Sequence, residues 1–512
     1  MKAFKILVIV LAVGGFVPTA RAATNIVTSL ADNGAGTLRQ VIAGSAAGDT
    51  ITFAVTGSIA LTNGELVIGT DLTILGPGQT NLTVDGRQRS RLFNIAVSNA
   101  LVNISNLTIS NGYCAGAGGV YSGGGAAYGG GIINCGTLSL AGCTIVGNAA
   151  SGGWAFSGSG GSGLGGGVCN YGTLNLSRCT ISFNSARGGD THTSGAGSGR
   201  GGGVCNYRTL SLTECTLSNN WAGGGSALIG PSGSASGGAV DNEGTSSLTG
   251  CTLSYNQAVG GGGLSGGGMA FGGGLASYGA VTMTNCTVTG NGADSGSGLY
   301  LSGSSTNLVV SCTISSNYAG FGLYAPGPHL MIMNTLVAGN NGSDDVYGSV
   351  VSLGYNLIGQ TNYSFGWVAS DLAGCSNALL GPLQDNGGQT LTMALQPGST
   401  AINNGTSFGV VTDQRGLPRP VVLPAYPVAS GGDGTDVGAF EVQPLVPPPL
   451  CVSHSGNAVT VYWQAVAGWS LLQNSNLLNP NGWSAIGGVT NASGTNYLNL
   501  LNPSDNLFFR LQ

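Results

Sequence analysis

The chain has 512 residues, of which 95 are glycine and 6% are charged, against a usual charged fraction of about 25%. With 42% hydrophobic residues it is too apolar for a disordered polymer. Its formal net charge is −5 and its only lysines are Lys2 and Lys5, which argues against the basic surfaces that hold nucleic acid or anionic membranes.

Met1 to Ala22 reads as a secretory leader. Lys2 and Lys5 give the positive start, Ile6 to Phe16 the apolar core, and Ala20-Arg21-Ala22 the cleavage signal. That core is too short to cross a bilayer, and no later stretch is long and apolar enough to do so. The mature chain is expected to begin at Ala23 and to be exported, ending extracellular or associated with the cell surface.

The next segment carries Asp32-Asn-Gly-Ala-Gly-Thr-Leu-Arg39 and Gly48-Asp49-Thr-Ile-Thr-Phe53, then Gly64-Glu65-Leu66 and Leu72-Thr-Ile-Leu-Gly-Pro-Gly78. These motifs resemble the opening of bacterial exported right-handed parallel β-helix proteins of the pectin-lyase-like superfamily. The resemblance implies that residues 23–60 cap the first coil, with a short helix around Leu38–Ile42. A cap is physically required, because an open coil is an unpaired sheet edge.

Residues 61–330 repeat. Cys143-Thr-Ile, Cys179-Thr-Ile, Cys215-Thr-Leu and Cys251-Thr-Leu are 36 residues apart, and Cys286 and Cys312 follow after 35 and 26. A fixed period means one structural unit per repeat. Leu174 and Leu176 alternate with polar residues, as do Cys179 and Ile181, which is the pattern of a strand with one buried face. Asn334-Thr-Leu follows Cys312 by only 22 residues, so a coil closes in 22. That is too short for the ~40–45 residues of a propeller blade. The surplus in each longer coil, near Tyr113–Tyr128, Ala149–Leu164, Ser185–Arg200 and Trp221–Ser236, is expected as glycine-rich loops on one side of the stack.

In-register stacking makes columns. Asn148, Asn184, Asn220, Asn256, Asn291 and Asn317 fall at one coil position, and Asn134, Asn170, Asn206 and Asn242 at another; both are expected as internal amide ladders. Cys143, Cys179, Cys215, Cys251, Cys286 and Cys312 share a third position, fitting either a reduced internal column or some inter-coil disulfides. No Cys-x-x-Cys pair sets zinc geometry. The glycine clusters and Cys-Thr-Ile repeats also resemble those of polymorphic outer membrane proteins.

Residues 331–443 carry Asp344-Asp345-Val-Tyr-Gly348, Leu353-Gly-Tyr-Asn-Leu-Ile-Gly359, Gly381-Pro-Leu-Gln-Asp-Asn-Gly-Gly388 and Asp436-Val-Gly-Ala-Phe-Glu441. They resemble the choice-of-anchor region that ends many such helices, which implies terminal coils. Residues 444–450 form a proline-rich linker. Residues 451–512 hold short strand patterns, among them Val459-Thr-Val-Tyr-Trp463, that suggest a small β-sandwich. The expected fold is all-β, a right-handed parallel β-helix solenoid with a small C-terminal β-sandwich module.

Acids are sparse in the repeats. Asp241 and Glu243 are the one close pair, with Arg178 and Arg208 nearby in the coil alignment; a hydrolase or lyase of this fold needs clustered carboxylates. Asp433 and Asp436 fit either a cation with carbonyl help or a side-chain-stabilised turn. Tyr113, Tyr121, Trp154, Phe156 and Trp221 lie in the glycine stretches, where they would stack on sugar rings or meet a protein. The expectation is a monomeric, non-catalytic surface protein without cofactor, binding a glycan or surface protein. A polysaccharide lyase or glycoside hydrolase, and a passive structural protein, are the alternatives.

Overall fold

The computed structural model describes residues 22–375, 378–444, 447–465, 469–479, 481–501, 503 and 506–512. Residues 1–21, where the leader is expected, and two positions of the proline-rich linker lie outside the described residues. The chain divides into two compact units, Met1–Val442 and Gln443–Gln512.

In the first unit each coil lies in register on the next. Thr144 pairs with Thr180, Thr180 with Thr216, and Thr216 with Thr252, all in parallel. A long coil contributes five strands: Val168–Asn170, Thr173–Ser177, Thr180–Ser182, Ser185–Arg187 and Gly199–Arg200. The first two ladders join in one 21-stranded sheet, and the third, fourth and fifth have 12, seven and five strands. Alternation puts Leu174, Leu176 and Ile181 inside, with equivalents above and below, and none is more than 2% exposed. Helix α1 (Leu38–Gly44) closes the first end, capped by Thr37 and burying Leu38 and Ile42.

Amide columns hold the corners of the coil. Asn148 Nδ2 donates to Asn184 Oδ1 at 2.9 Å, Asn184 to Asn220 at 3.0 Å, Asn220 to Asn256 at 2.9 Å, and so on through Asn291 and Asn317. The column continues to Asn340 and ends on the Asp345 carboxylate at 2.7 Å. Asn134, Asn170, Asn206 and Asn242 form the second column at 2.7 Å per step. All twelve cysteines are free thiols. In the buried column, Cys251 Sγ donates to Leu212 O and Thr249 O, and burial pushes its thiol well up.

The surplus residues of the long coils are not loops. They build a fin of five stacked coils carrying the fourth and fifth ladders, with a further bridge row Gly119–Ala155–Thr191–Ala227–Gly263. Where the fourth and fifth ladders meet, the fin packs only small side chains, Ala222, Ala235, Ala258, Ala270 and Ala293. Beyond that cluster, glycine amides zigzag between its two layers: Gly153 donates to Gly125 O, Gly161 to Gly153 O, Gly189 to Gly161 O and Gly197 to Gly189 O, at 2.7 to 2.9 Å. A Cβ on Gly161 would stand 1.9 Å from Gly125 O. Glycine is what permits this layer spacing, so the composition that reads as loop in sequence encodes a thin lamina held by backbone hydrogen bonds and small side chains.

Of residues 331–443, only those up to Ala373 stack as coils. The expectation of terminal coils fails beyond that point, because the third ladder's outer face offers threonine hydroxyls as docking groups. Residues 386–441 fold back along that face as a strap. Thr252 Oγ1 donates to Leu391 O, Thr287 Oγ1 to Gln414 Oε1, and Ala439 N to Thr313 Oγ1, at 2.6 to 3.0 Å. Beneath the strap lies a charged cluster. Arg419 pairs with Glu441 at 2.9 Å, both fully buried, Arg415 pairs with Asp413 at 2.7 Å, and Asp436 accepts from Asn403 N and Val442 N. Three acids face two arginines. Burial pushes Asp436 up to about 6 and Glu441 up to about 7, against the pull of backbone donors and Arg419.

The second unit has a four-stranded antiparallel sheet, Cys451–Ser455, Ala458–Gln464, Thr495–Leu501 and Thr490–Ala492, and a three-stranded one. Val461, Trp463, Leu471 and Leu498 form its core.

Three outcomes are expected. Asn184→Leu strands the Asn148 amide donors, two buried groups at ~1–3 kcal/mol each, so thermal denaturation should show a loss of several degrees. Gly161→Ala should destabilise the fin, read as faster hydrogen exchange at residues 149–200 with the rest of the stack protected. The folded state holds the proton of Asp436 to higher pH than the unfolded chain does (~3.9), so stability should fall as pH rises from about 4 through 6. A melting series in Asp436→Asn should flatten that slope; an unchanged slope would remove this carboxyl as its source.

Candidate functional site

Three columns meet along the stack where the first ladder faces the fin. Cys169, Cys205 and Asp241 follow one another in register on the outward side of the first ladder. Leu164, Arg200, Ser236 and Phe271 line the fin side. Tyr171, Tyr207, Glu243 and Tyr278 stand in the turn between the first and second ladders, one residue beyond the amide column. Stacking in register turns these columns into a groove parallel to the axis.

Aromatic rings run along it. Tyr171 and Tyr207 stack at 4.8 Å with 3° between planes. Tyr300, Tyr324 and Tyr347 stack at 5.3 and 4.5 Å. Rings stacked along the axis turn their faces to each other and their edges to solvent. Phe271 and Tyr278 break the pattern, lying tilted at 49° and 58° to Tyr300.

The structure joins Asp241 and Glu243 through Arg200, which the sequence reading missed. Arg200 Nη2 lies 2.9 Å from Asp241 Oδ2 and also bonds Glu243 Oε1. Ser236 Oγ donates to Asp241 Oδ1 at 2.5 Å and lies 3.3 Å from Tyr278 OH. Asp241 is completely buried. Burial raises its pKa, against the pull of Arg200 and Ser236, while Glu243 keeps 34% of its side chain exposed. Burial opposes the charge on Arg200, but Asp241 and Glu243 outweigh it and hold the guanidinium charged. Ser198, Arg200, Ser234, Ala235, Ser236, Glu243, Phe271 and Tyr278 line a cavity of about 270 Å³ that opens to solvent.

The basic neighbours named from sequence do not join this site. Arg178 pairs with Glu214 at 2.8 Å on the surface. Both sit at left-handed turn positions, φ 52°, that Gly142 and Gly250 occupy in other coils. The repeat alignment alone held the missed signal. Arg200 is the residue before its glycine cluster, as Leu164 and Ser236 are before theirs, and Tyr171, Tyr207 and Tyr278 share one coil position.

The five fin aromatics do not form one surface. Tyr113 and Trp221 lie on the fourth ladder, three coils apart, both half-buried. Trp221 folds back over Gly223, where a Cβ would meet its ring at 1.9 Å. Trp154 packs over Gly118, and Phe156 stacks on His192 at 4.8 Å. Tyr121 is 91% exposed in the first fin coil. Asp433 and Asp436 do not converge as a cation site: Asp433 accepts from Ser407 Oγ, Ser407 N and Thr435 N, and Asp436 holds two other amides. Among the described residues no cluster of three or more His, Cys, Asp or Glu side chains is placed to hold a metal, and no helix is long and apolar enough to cross a membrane.

A family model for a right handed beta helix region matches residues 205–363, the stretch that contains the Arg200 partners and the tyrosine stack. No curated protein matches the chain. The parallel, in-register coils and this match agree on a right-handed parallel β-helix as the fold of the first unit.

Proposed function

We propose that this is an exported, surface-associated β-helix protein that binds and does not cleave, acting in adhesion or envelope contact with a glycan laid along the groove. One observation carries the reading: an axial line of tyrosine and phenylalanine side chains flanks the Arg200–Glu243 pocket. Phenol edges offer a row of hydroxyls to sugar hydroxyls, and the tilted Phe271 and Tyr278 offer apolar ring surface. A chain of sugars repeats along one direction, as this groove does.

The acid pair argues against cleavage. Glycoside hydrolysis uses two carboxyl groups that both reach the scissile bond. Here Asp241 is sealed beneath Arg200 and Ser236, leaving Glu243 alone at the surface. One of its oxygens is already taken by Arg200, an arrangement that suits hydrogen bonding to a ligand.

The mature protein should be retained on at least one immobilised polysaccharide, and Tyr324→Ala should weaken retention about tenfold, ~1.4 kcal/mol. The same incubations should yield no new reducing or unsaturated ends. Product that disappears in Asp241→Ala would make the protein a carbohydrate-active enzyme and end the binding reading. Export would show as recovery outside the cytoplasm of a chain beginning at Ala23.

A further inference from the structure

We infer that the cavity at Arg200 is a selective subsite for a single neutral hexose unit, a chain end or a branch, within the groove. The inference rests on the glycan reading above and adds to it the ligand class and the residues that read it.

Size comes first. The cavity holds about 270 Å³, just under the ~300–1,000 Å³ typical of drug-sized ligands, so it takes one sugar ring and not a run of them. Its wall is mixed, as a pyranose requires. Phe271 gives an apolar face for ring C–H groups, and Glu243, Arg200 and Tyr278 give polar groups around it.

The hydrogen-bond inventory is complementary to a polyol. Glu243 accepts from Arg200 through Oε1, leaving Oε2 to accept from a sugar hydroxyl. Arg200 uses only Nη2 on the two acids, so its Nε–H and Nη1–H groups have no protein acceptor among the described residues. Ser236 gives its proton to Asp241, so the Tyr278 hydroxyl donates to Ser236 and keeps lone pairs for a ligand donor. An acceptor carboxylate beside free guanidinium donors is what a vicinal diol pairs with, since each hydroxyl both donates and accepts.

Charge selects against acidic sugars. Two acids face one arginine here, and the chain has no lysine after Lys5. A uronate carboxylate in the cavity would stand against Glu243, and the one cation lining the cavity, Arg200, is already shared by both acids. A neutral ring meets no such penalty.

The test uses the mature protein with methyl glycosides of glucose, galactose and mannose, and with methyl glucuronide, read by saturation-transfer NMR and calorimetric titration. At least one neutral hexoside should bind, with the glucuronide at least tenfold weaker. Glu243→Gln and Phe271→Ala, each checked for an unchanged melting temperature, should lose hexoside binding at least tenfold. Tyr347→Ala, outside the cavity, should weaken polysaccharide retention and leave the hexoside affinity unchanged. Polysaccharide retention without any hexoside binding, hexoside binding indifferent to both cavity variants, or a preference for the glucuronide would overturn the subsite and leave the groove reading standing. Failure to bind either polymer or hexoside would overturn both.

Discussion

Everything in the first unit depends on axial register. Strands about 4.8 Å apart carry every residue to the same place one coil later, so any polar group placed inside must be satisfied by its own copy. Asparagine does this because its side chain both donates and accepts, and the Asn148 to Asn317 column is one continuous run of such bonds. The same register makes the buried thiols a column and the groove tyrosines a stack. A serine takes the place of the amide at Ser277 without breaking the second column, since Asn242 Nδ2 reaches its hydroxyl at 2.9 Å.

Register also explains why the candidate site sits where it does. Repetition alone produces a uniform groove, and a site requires a coil that departs from it. Asp241 replaces the cysteine of the two preceding coils, Glu243 replaces a tyrosine, and Arg200 replaces Leu164. The three departures belong to adjoining coils on neighbouring columns, so they compensate one another: a buried carboxylate would be costly without the guanidinium that the fin extends over it. The fin therefore has a positional role. It carries the wall that converts an open sheet face into a recess.

The amount of this that was legible from sequence follows the period. The 36-residue spacing gave the coil, the strands and both amide columns, because columns are a direct consequence of period. It did not give the fin. Glycine-rich segments read as loops, since glycine usually signals freedom; here it signals close approach of backbones, as at Gly161. The acid pair was visible, but Arg200 was not, because its partnership crosses from one ladder to another and depends on how far the fin leans over the sheet. The strap escaped for a related reason. Its contacts, such as Gln414 to Thr252, join residues more than 160 apart with no periodic signal.

That strap changes how the molecule can come apart. A solenoid held only by nearest neighbours behaves as a one-dimensional lattice, and coils fray from an end one after another. By spanning from Gly250 to Asn334 along the third ladder, the strap ties four successive coils to one covering segment. Those coils then open together or not at all. That part of the stack becomes a single cooperative block, closed by a long chain loop whose entropy is lost only once the coils beneath it exist. Mechanical pulling from the C-terminal side would meet this clasp first, with the hydrogen bonds along the threonine row sharing the load, whereas the opposite end, closed by one short helix, would yield coil by coil.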